Sequence, residues 1–344
     1  MPLLFDIERP GSTSEMGAPN CVTIGFINNM PDAALKATER QFVELLRAST
    51  GNGMVRLLLF SIPEVPRSDE ALADMAGRYR DISELWDTHV DGLIVTGNEP
   101  RSQDLKDEPY WNALGQVIDW AREHSASTIW SCLAAHAAVL RTDGIERQLL
   151  SEKCSGVFAC DVTGQHPMTR GVATPMHIPH SRLNDLPELA LKSCGYRILS
   201  RSAVAGVDMF VKQERTFDVF FQGHPEYEAD SLLREYRRDI GRYLRRERDD
   251  YPHAPQGYFD EAAATSAHAF RQRGLADRDS ELIKAFPIRE LEGRLDSSWR
   301  GAAVAIYENW FDYLKERKAE RQTPIAPRRR AWRDRRSRRA HTAP

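Results

Sequence analysis

Two short motifs in this 344-residue chain hold the residue types that nucleophilic catalysis needs: Trp130-Ser-Cys-Leu-Ala-Ala-His136 and Gly223-His-Pro-Glu-Tyr227. Cys132 can act as a nucleophile, His224 as its base, and Glu226 as the group that orients that base. A thiol reacts as its thiolate, a form favoured at a helix N-terminus. A lone cysteine is more often a small buried hydrophobe. The second motif is what gives Cys132 a chemical reading.

The elements that must position these groups are legible nearby. Ala126-Ser-Thr-Ile-Trp130 reads as a buried strand, and Leu133 to Leu140 as a strong helix former, which puts Cys132 where strand turns into helix. Upstream, strands are expected at Cys21–Ile27, Met54–Ile62 and Asp91–Gly97. Helices are expected at about 33–47, through much of 68–89, and over 110–124. This alternation predicts an α/β fold, a parallel sheet flanked by helices, with ligands bound beyond the carboxyl ends of the strands. Asn29, Gly97 and Cys132 fall at such ends. Residues 157–222 look richer in short β segments, and Phe217-Asp-Val-Phe-Phe221 delivers His224 from its carboxyl end. A charged helix is expected over 230–246, irregular chain over 250–295, and an amphipathic helix over 299–317. The expected organisation is an irregular leader (1–20), one catalytic domain (21–250), a C-terminal extension packing on it (251–318) and a basic disordered tail (319–344).

Composition narrows the class. Hydrophobic content of 41% and seven tryptophans support a substantial core. The five cysteines are odd in number and lack metal-ligand spacing, so neither a disulfide framework nor a metal site is expected. No signal peptide or membrane-length apolar run is seen, and a reducing cytoplasm is the expected compartment. Residues 323–344 hold eight arginines against one aspartate. That segment reads as a solvated tail rather than a nucleic-acid contact.

Several collinear segments carry a resemblance: Asn29-Met-Pro31, Thr38-Glu-Arg-Gln-Phe-Val-Glu-Leu-Leu46, Asp91–Gly97, Tyr110-Trp111 and Lys153-Cys-Ser-Gly-Val-Phe158. Pro179-His-Ser-Arg182, Gly223-His-Pro-Glu-Tyr-Glu-Ala229 and Asn309-Trp310 continue it. In order and spacing they resemble the homoserine O-succinyltransferase family, whose fold is class I glutamine amidotransferase-like (flavodoxin-like). The resemblance implies an acyl-enzyme on Cys132, with His224 as base and Glu226 as its partner. It also implies substrate binding by Lys153, Ser181 and Arg238. No bound cofactor is implied; succinyl-CoA and L-homoserine would be the substrates, with a homodimer left open and no membrane partner.

Taken alone, Lys153 is an ordinary surface lysine, Arg238 a solvated helix arginine and Ser181 a turn cap. His136 reads as structural, because its helical direction carries it away from the strand end, and His180 as a packing neighbour of Ser181. The chain also departs from the family pattern. Leu133 and His136 stand where Trp and Gln are usual, and no role passes to Lys36. Arg101 falls at a position where glycine accompanies succinyl-CoA and glutamate accompanies acetyl-CoA. A guanidinium there would attract the distal carboxylate of a succinyl group. Alternatives are an acetyl-CoA-dependent homoserine O-acetyltransferase, a serine O-acyltransferase, a glutamine amidotransferase-like hydrolase and a non-catalytic sensor of CoA or amino acid. Ser131 and Ala134, where amidotransferases place glycines, count against the hydrolase.

Overall fold

The structure, a computed structural model, describes residues 5–8, 21–51, 53–293, 295 and 297–322. The first half alternates as its hydrophobic pattern dictates: β1 (Phe5–Glu8), β2 (Cys21–Ile27), α1 (Asp32–Ser49), β3 (Met54–Ser61), α2 (Asp69–Met75), β4 (Arg80–Asp81), β5 (Gly92–Val95), α3 (Trp111–His124), β6 (Ser127–Ser131) and α4 (Leu133–Asp143). The second half comprises β7 (Gln148–Val162), β8 (Met176–Asp185), α5 (Glu188–Ser193), β9 (Arg197–Ile198), β10 (Ser200–Ser202), β11 (Gly206–Val207), β12 (Met209–Gln213), β13 (Phe217–Phe221), α6 (Ser231–Leu244), α7 (Glu261–Ala276), α8 (Ile288–Glu292) and α9 (Arg300–Gln322).

The main sheet runs β1-β3-β2-β5-β6-β13-β12-β9, with β4 also on β3. It is parallel from β1 through β13, and β12 and β9 close it antiparallel. Side chains alternate across it as the strand period requires. Leu58, Phe60, Leu93 and Val95 join a core beneath α3 and α4. Leu57, Leu59 and Ile94 join another beneath α1 and α9. A third core gathers α6, α7, α8 and Trp299. A smaller antiparallel sheet, β11-β10-β7-β8, stands beside the carboxyl end of the main one. The two are joined where the His224 amide donates to the Pro179 carbonyl at 2.7 Å. No helix among the described residues is long and apolar enough to cross a membrane.

Four local expectations are corrected. The leader expected to be irregular contains β1, parallel to β3 at the sheet edge. The stretch 68–89 is only partly helical. The short β segments expected over 157–222 are present as β9 to β13, preceded by a long β7–β8 pair that begins at Gln148. The stretch 250–295 holds a 16-residue helix, α7, whose inward positions are Ala263, Ala267, Phe270 and Gly274. Mostly small residues on that face conceal the helical period. From the expected tail, residues 319–322 extend α9, and residues 323–344 lie outside the described chain.

Candidate active site

β6 and β13 are parallel neighbours with Ser131 opposite Phe221, so the residues just past them are brought side by side. Cys132 leaves β6 at φ 50°, ψ −111°, and caps α4. Its amide donates to the Phe221 carbonyl at 2.8 Å. A non-glycine residue in that conformation costs about 1–3 kcal/mol, strain that recurs at functional sites. The bend turns the thiol out of the sheet while α4 begins directly behind it. Helix geometry leaves the Leu133 and Ala134 N–H groups without intrahelical acceptors.

His224 follows β13 by three residues, buried, with Nδ1 2.8 Å from Glu226 Oε1. The Cys132 side chain is the other group that acts on the same imidazole. Since Nδ1 is held by the carboxylate, the sulfur faces Nε2. Burial works against a charged His224, but the Cys132 sulfur and the Glu226 carboxylate outweigh it and hold its pKa well above 6.5. Thiol, imidazole and carboxylate thus stand in one row. Gly97, at the end of β5, closes the other side. A Cβ on it would lie 2.4 Å from Leu133 Cβ and 3.0 Å from Leu133 N, so only glycine lets this loop reach the start of α4. Asn29 fixes the adjoining loop, its amide donating to Thr96 Oγ1 at 2.8 Å and its side chain to the Thr96 carbonyl at 3.0 Å.

Lys153, Ser181 and Arg238 converge from three elements. Lys153 sits in the register break of β7 between Leu149 and Cys154, a bulge that re-aims its side chain. Its ammonium lies 2.9 Å from Asp239 and 3.4 Å from Glu235 on α6. Ser181 donates to Glu235 Oε2, and Tyr227 donates to Glu235 Oε1 at 2.5 Å. Burial alone would raise the Glu235 pKa, but Lys153, followed by the hydrogen bonds from Ser181 and Tyr227, keeps it below the ordinary carboxylate value. Arg238 pairs with Asp239 at 2.9 Å and is 40% exposed. Glu235 and Tyr227 were not singled out from the sequence. The available signal was the four-residue spacing of Glu235 and Asp239, which puts both on one face of α6.

His136 points elsewhere. Gln222 donates its Nε2 to Asp185 and the Val207 carbonyl, so its oxygen accepts, and His136 Nε2 donates to it at 3.0 Å. Burial, with Arg182 and Arg147 nearby, pushes the His136 pKa down to about 3. It is a neutral imidazole tied to the sheet, not to the thiol. His180 packs behind the catalytic turn, with Nε2 3.3 Å from Asp208 Oδ1. Together with Cys160 these form a buried group whose ligand atoms lie within 4.8 Å of one another, close enough to share a metal ion. Asp208 Oδ2 is already held by Ser200 at 2.6 Å, and burial pushes the Cys160 thiol up, away from the thiolate a metal needs.

Arg101 has an exposed side chain, and it is its backbone that is engaged. Its amide and that of Ser102 donate to Glu108 Oε1 at 2.6 and 2.7 Å. Glu99, two residues earlier, pairs with Arg242 of α6 at 2.6 Å.

Known proteins resemble this chain over most of its length. The family model for homoserine O-succinyltransferase matches residues 12–321. A homoserine O-succinyltransferase of Rhodopseudomonas palustris is 48% identical over 87% of this chain and 90% of its own length. One from Bradyrhizobium japonicum is 46% identical over 92% of this chain and 100% of its own. Among solved structures, a glutamine amidotransferase from Methylobacillus flagellatus aligns with a TM-score of 0.49 and 15% identity, covering 86% of this chain and 95% of that one.

Proposed function

Because the chain belongs to the homoserine O-succinyltransferase family, we propose that it moves a succinyl group from succinyl-CoA to the hydroxyl of L-homoserine through a Cys132 acyl-enzyme. The observation that carries the mechanism is the row of Cys132, His224 and Glu226 at the ends of β6 and β13.

In the first half-reaction the Cys132 sulfur attacks the thioester carbonyl carbon. The carbon–sulfur bond to CoA breaks, and the imidazolium of His224 protonates the departing CoA sulfur. The negative charge that develops on the carbonyl oxygen falls beside the Leu133 N–H, which the absence of a side chain on Gly97 leaves open to the substrate. His224, now neutral, takes the proton of the homoserine hydroxyl as that oxygen attacks the acyl-enzyme. Collapse releases O-succinylhomoserine and returns the sulfur to its pair with His224. Glu226 holds the imidazole in one orientation throughout and offsets its charge.

The acceptor's position follows from the second cluster. Arg238, partly exposed and paired with Asp239, can take the amino acid's carboxylate, since a guanidinium suits that group's geometry. Lys153 and Ser181 border the same space, both held by Glu235. Intact-protein mass spectrometry tests the reading. Succinyl-CoA should add one succinyl group to Cys132, and homoserine should then discharge it as O-succinylhomoserine. Glutamine hydrolysis without acyl transfer would overturn it.

A further inference from the structure

Arg147 lies in the short segment between α4 and β7, beneath the loop that runs from Gly97 to α3. Its Nη2 donates to the carbonyls of Ser102 and Gln103 at 3.2 and 2.8 Å. Its Nε and Nη1 are buried and find no acceptor among the described residues. Nor does it form an ion pair with any carboxylate among them. Guanidinium donors withdrawn from water and left unspent are costly unless an acceptor comes to them.

Its neighbours are polar groups in a similar state. Glu108 Oε2 and the Tyr110 hydroxyl lie beside each other, likewise buried and with no other partner among the described residues. Glu108 spends its other oxygen on the loop amides of Arg101 and Ser102, so its place is fixed. His136, neutral, offers an unpartnered Nδ1 one helical turn beyond the nucleophile. Tyr110, the carboxylates of Glu108 and Asp104 and, more weakly, the Cys132 sulfur act on the Arg147 charge. A half-buried cation with free donors therefore stands within electrostatic reach of the atom that receives the acyl group. An acetyl group offers such a cation nothing; a four-carbon dicarboxylic acyl group ends in a carboxylate.

We propose that Arg147 is the residue that reads the distal carboxylate of the acyl group, and so sets the preference for succinyl over neutral donors. The exposed Arg101 shapes the same loop through its backbone. This rests on the acyl-transfer reading above. Arg147 acts by touching the part of the substrate that does not react.

The test is a donor series on the full-length protein and its Arg147→Met and Arg101→Met variants, with succinyl-CoA, its neutral isostere butyryl-CoA, and acetyl-CoA. Arg147→Met should lower kcat/KM for succinyl-CoA about 10- to 100-fold, the usual worth of a charge-assisted contact. It should leave the two neutral donors within about threefold and the homoserine KM unchanged, while Arg101→Met stays near native with all three. Activity with the neutral donors shows that the variant folds. An equal fall with all three donors would mean that Arg147 only pins the loop, and the inference fails while the reaction stands. It fails likewise if the homoserine KM alone rises, or if Arg101→Met abolishes the preference and Arg147→Met does not. A native protein that acylates homoserine with no donor overturns the reaction itself, and this inference with it.

Discussion

Tyr227 lies flat against His224, ring centroids 4.2 Å apart and planes 15° apart, while its hydroxyl reaches Glu235 at 2.5 Å. One residue thus braces the base and touches the acid that organises Lys153 and Ser181. The two roles separate by substitution. Tyr227→Phe keeps the stack and loses one buried hydrogen bond, worth about 0.5–1.5 kcal/mol, so the homoserine KM should rise roughly two- to tenfold with kcat near native. Tyr227→Ala should lower kcat as well. Equal kinetics for the two variants would detach the stack from catalysis.

Glu226→Gln removes the charge that helps hold the imidazolium. Acyl transfer should fall roughly 10²- to 10⁴-fold, the range for disabling a positioned base. The His224 pKa is raised on folding, so its charged form adds stability that is complete below pH 6.5 and fades as pH climbs through the raised value. The stability lost by Glu226→Gln should therefore be largest near pH 6 and shrink in alkaline buffer, as read by thermal unfolding across pH. A loss that grew with pH would contradict the ion-pair assignment.

Cys132→Ala and Cys132→Gly should both be inactive and free of acyl adducts, yet differ in stability. At φ 50°, ψ −111° alanine bears the strain and glycine does not. The glycine variant should match or exceed the alanine variant in melting temperature, against the usual order. A glycine variant several degrees less stable would show that the bend is unstrained.

Gly97→Ala should cost at least about 100-fold in kcat while leaving the acceptor KM little changed, because the new methyl meets the first residue of α4 rather than the amino-acid site. Near-native turnover would exclude the Leu133 amide from the charge-stabilising role.

His136, with its pKa pushed down to about 3, is neutral in the folded protein and protonates readily once unfolded. Its contribution is complete above pH 6.5 and is lost between there and about pH 3. His136→Gln should flatten the acid limb of the stability curve by up to about 1.4 kcal/mol per pH unit. Denaturant melts between pH 7 and 5 would show it, and an unchanged limb would mean that the imidazole is charged.

What the sequence disclosed follows from where chemistry meets periodicity. Cys132 was readable because a β-branched strand ran into an alanine helix, and His224 because an aromatic-rich strand ended just before it. Arg147, Glu108 and Glu235 were not, since each stands among other charged residues and only tertiary packing sets its surroundings. α7 was missed because its inward face is mostly alanine and glycine. The β7–β8 pair escaped because β7 alternates weakly and has a bulge at the place where it presents Lys153.

Trp310 of α9 donates to Ser127 Oγ at 2.9 Å, across 183 residues of sequence, and Lys318 reaches Asp91 at 2.8 Å. The strand that leads into Cys132 is therefore finished by a helix translated 183 residues later. Until that helix arrives, the sheet face formed by Leu57, Leu59 and Ile129 lacks part of its cover, and the exposed apolar surface favours aggregation of the nascent chain. A premature stop ahead of Trp310 would yield an insoluble fragment rather than a smaller enzyme, although every catalytic residue would already have been translated.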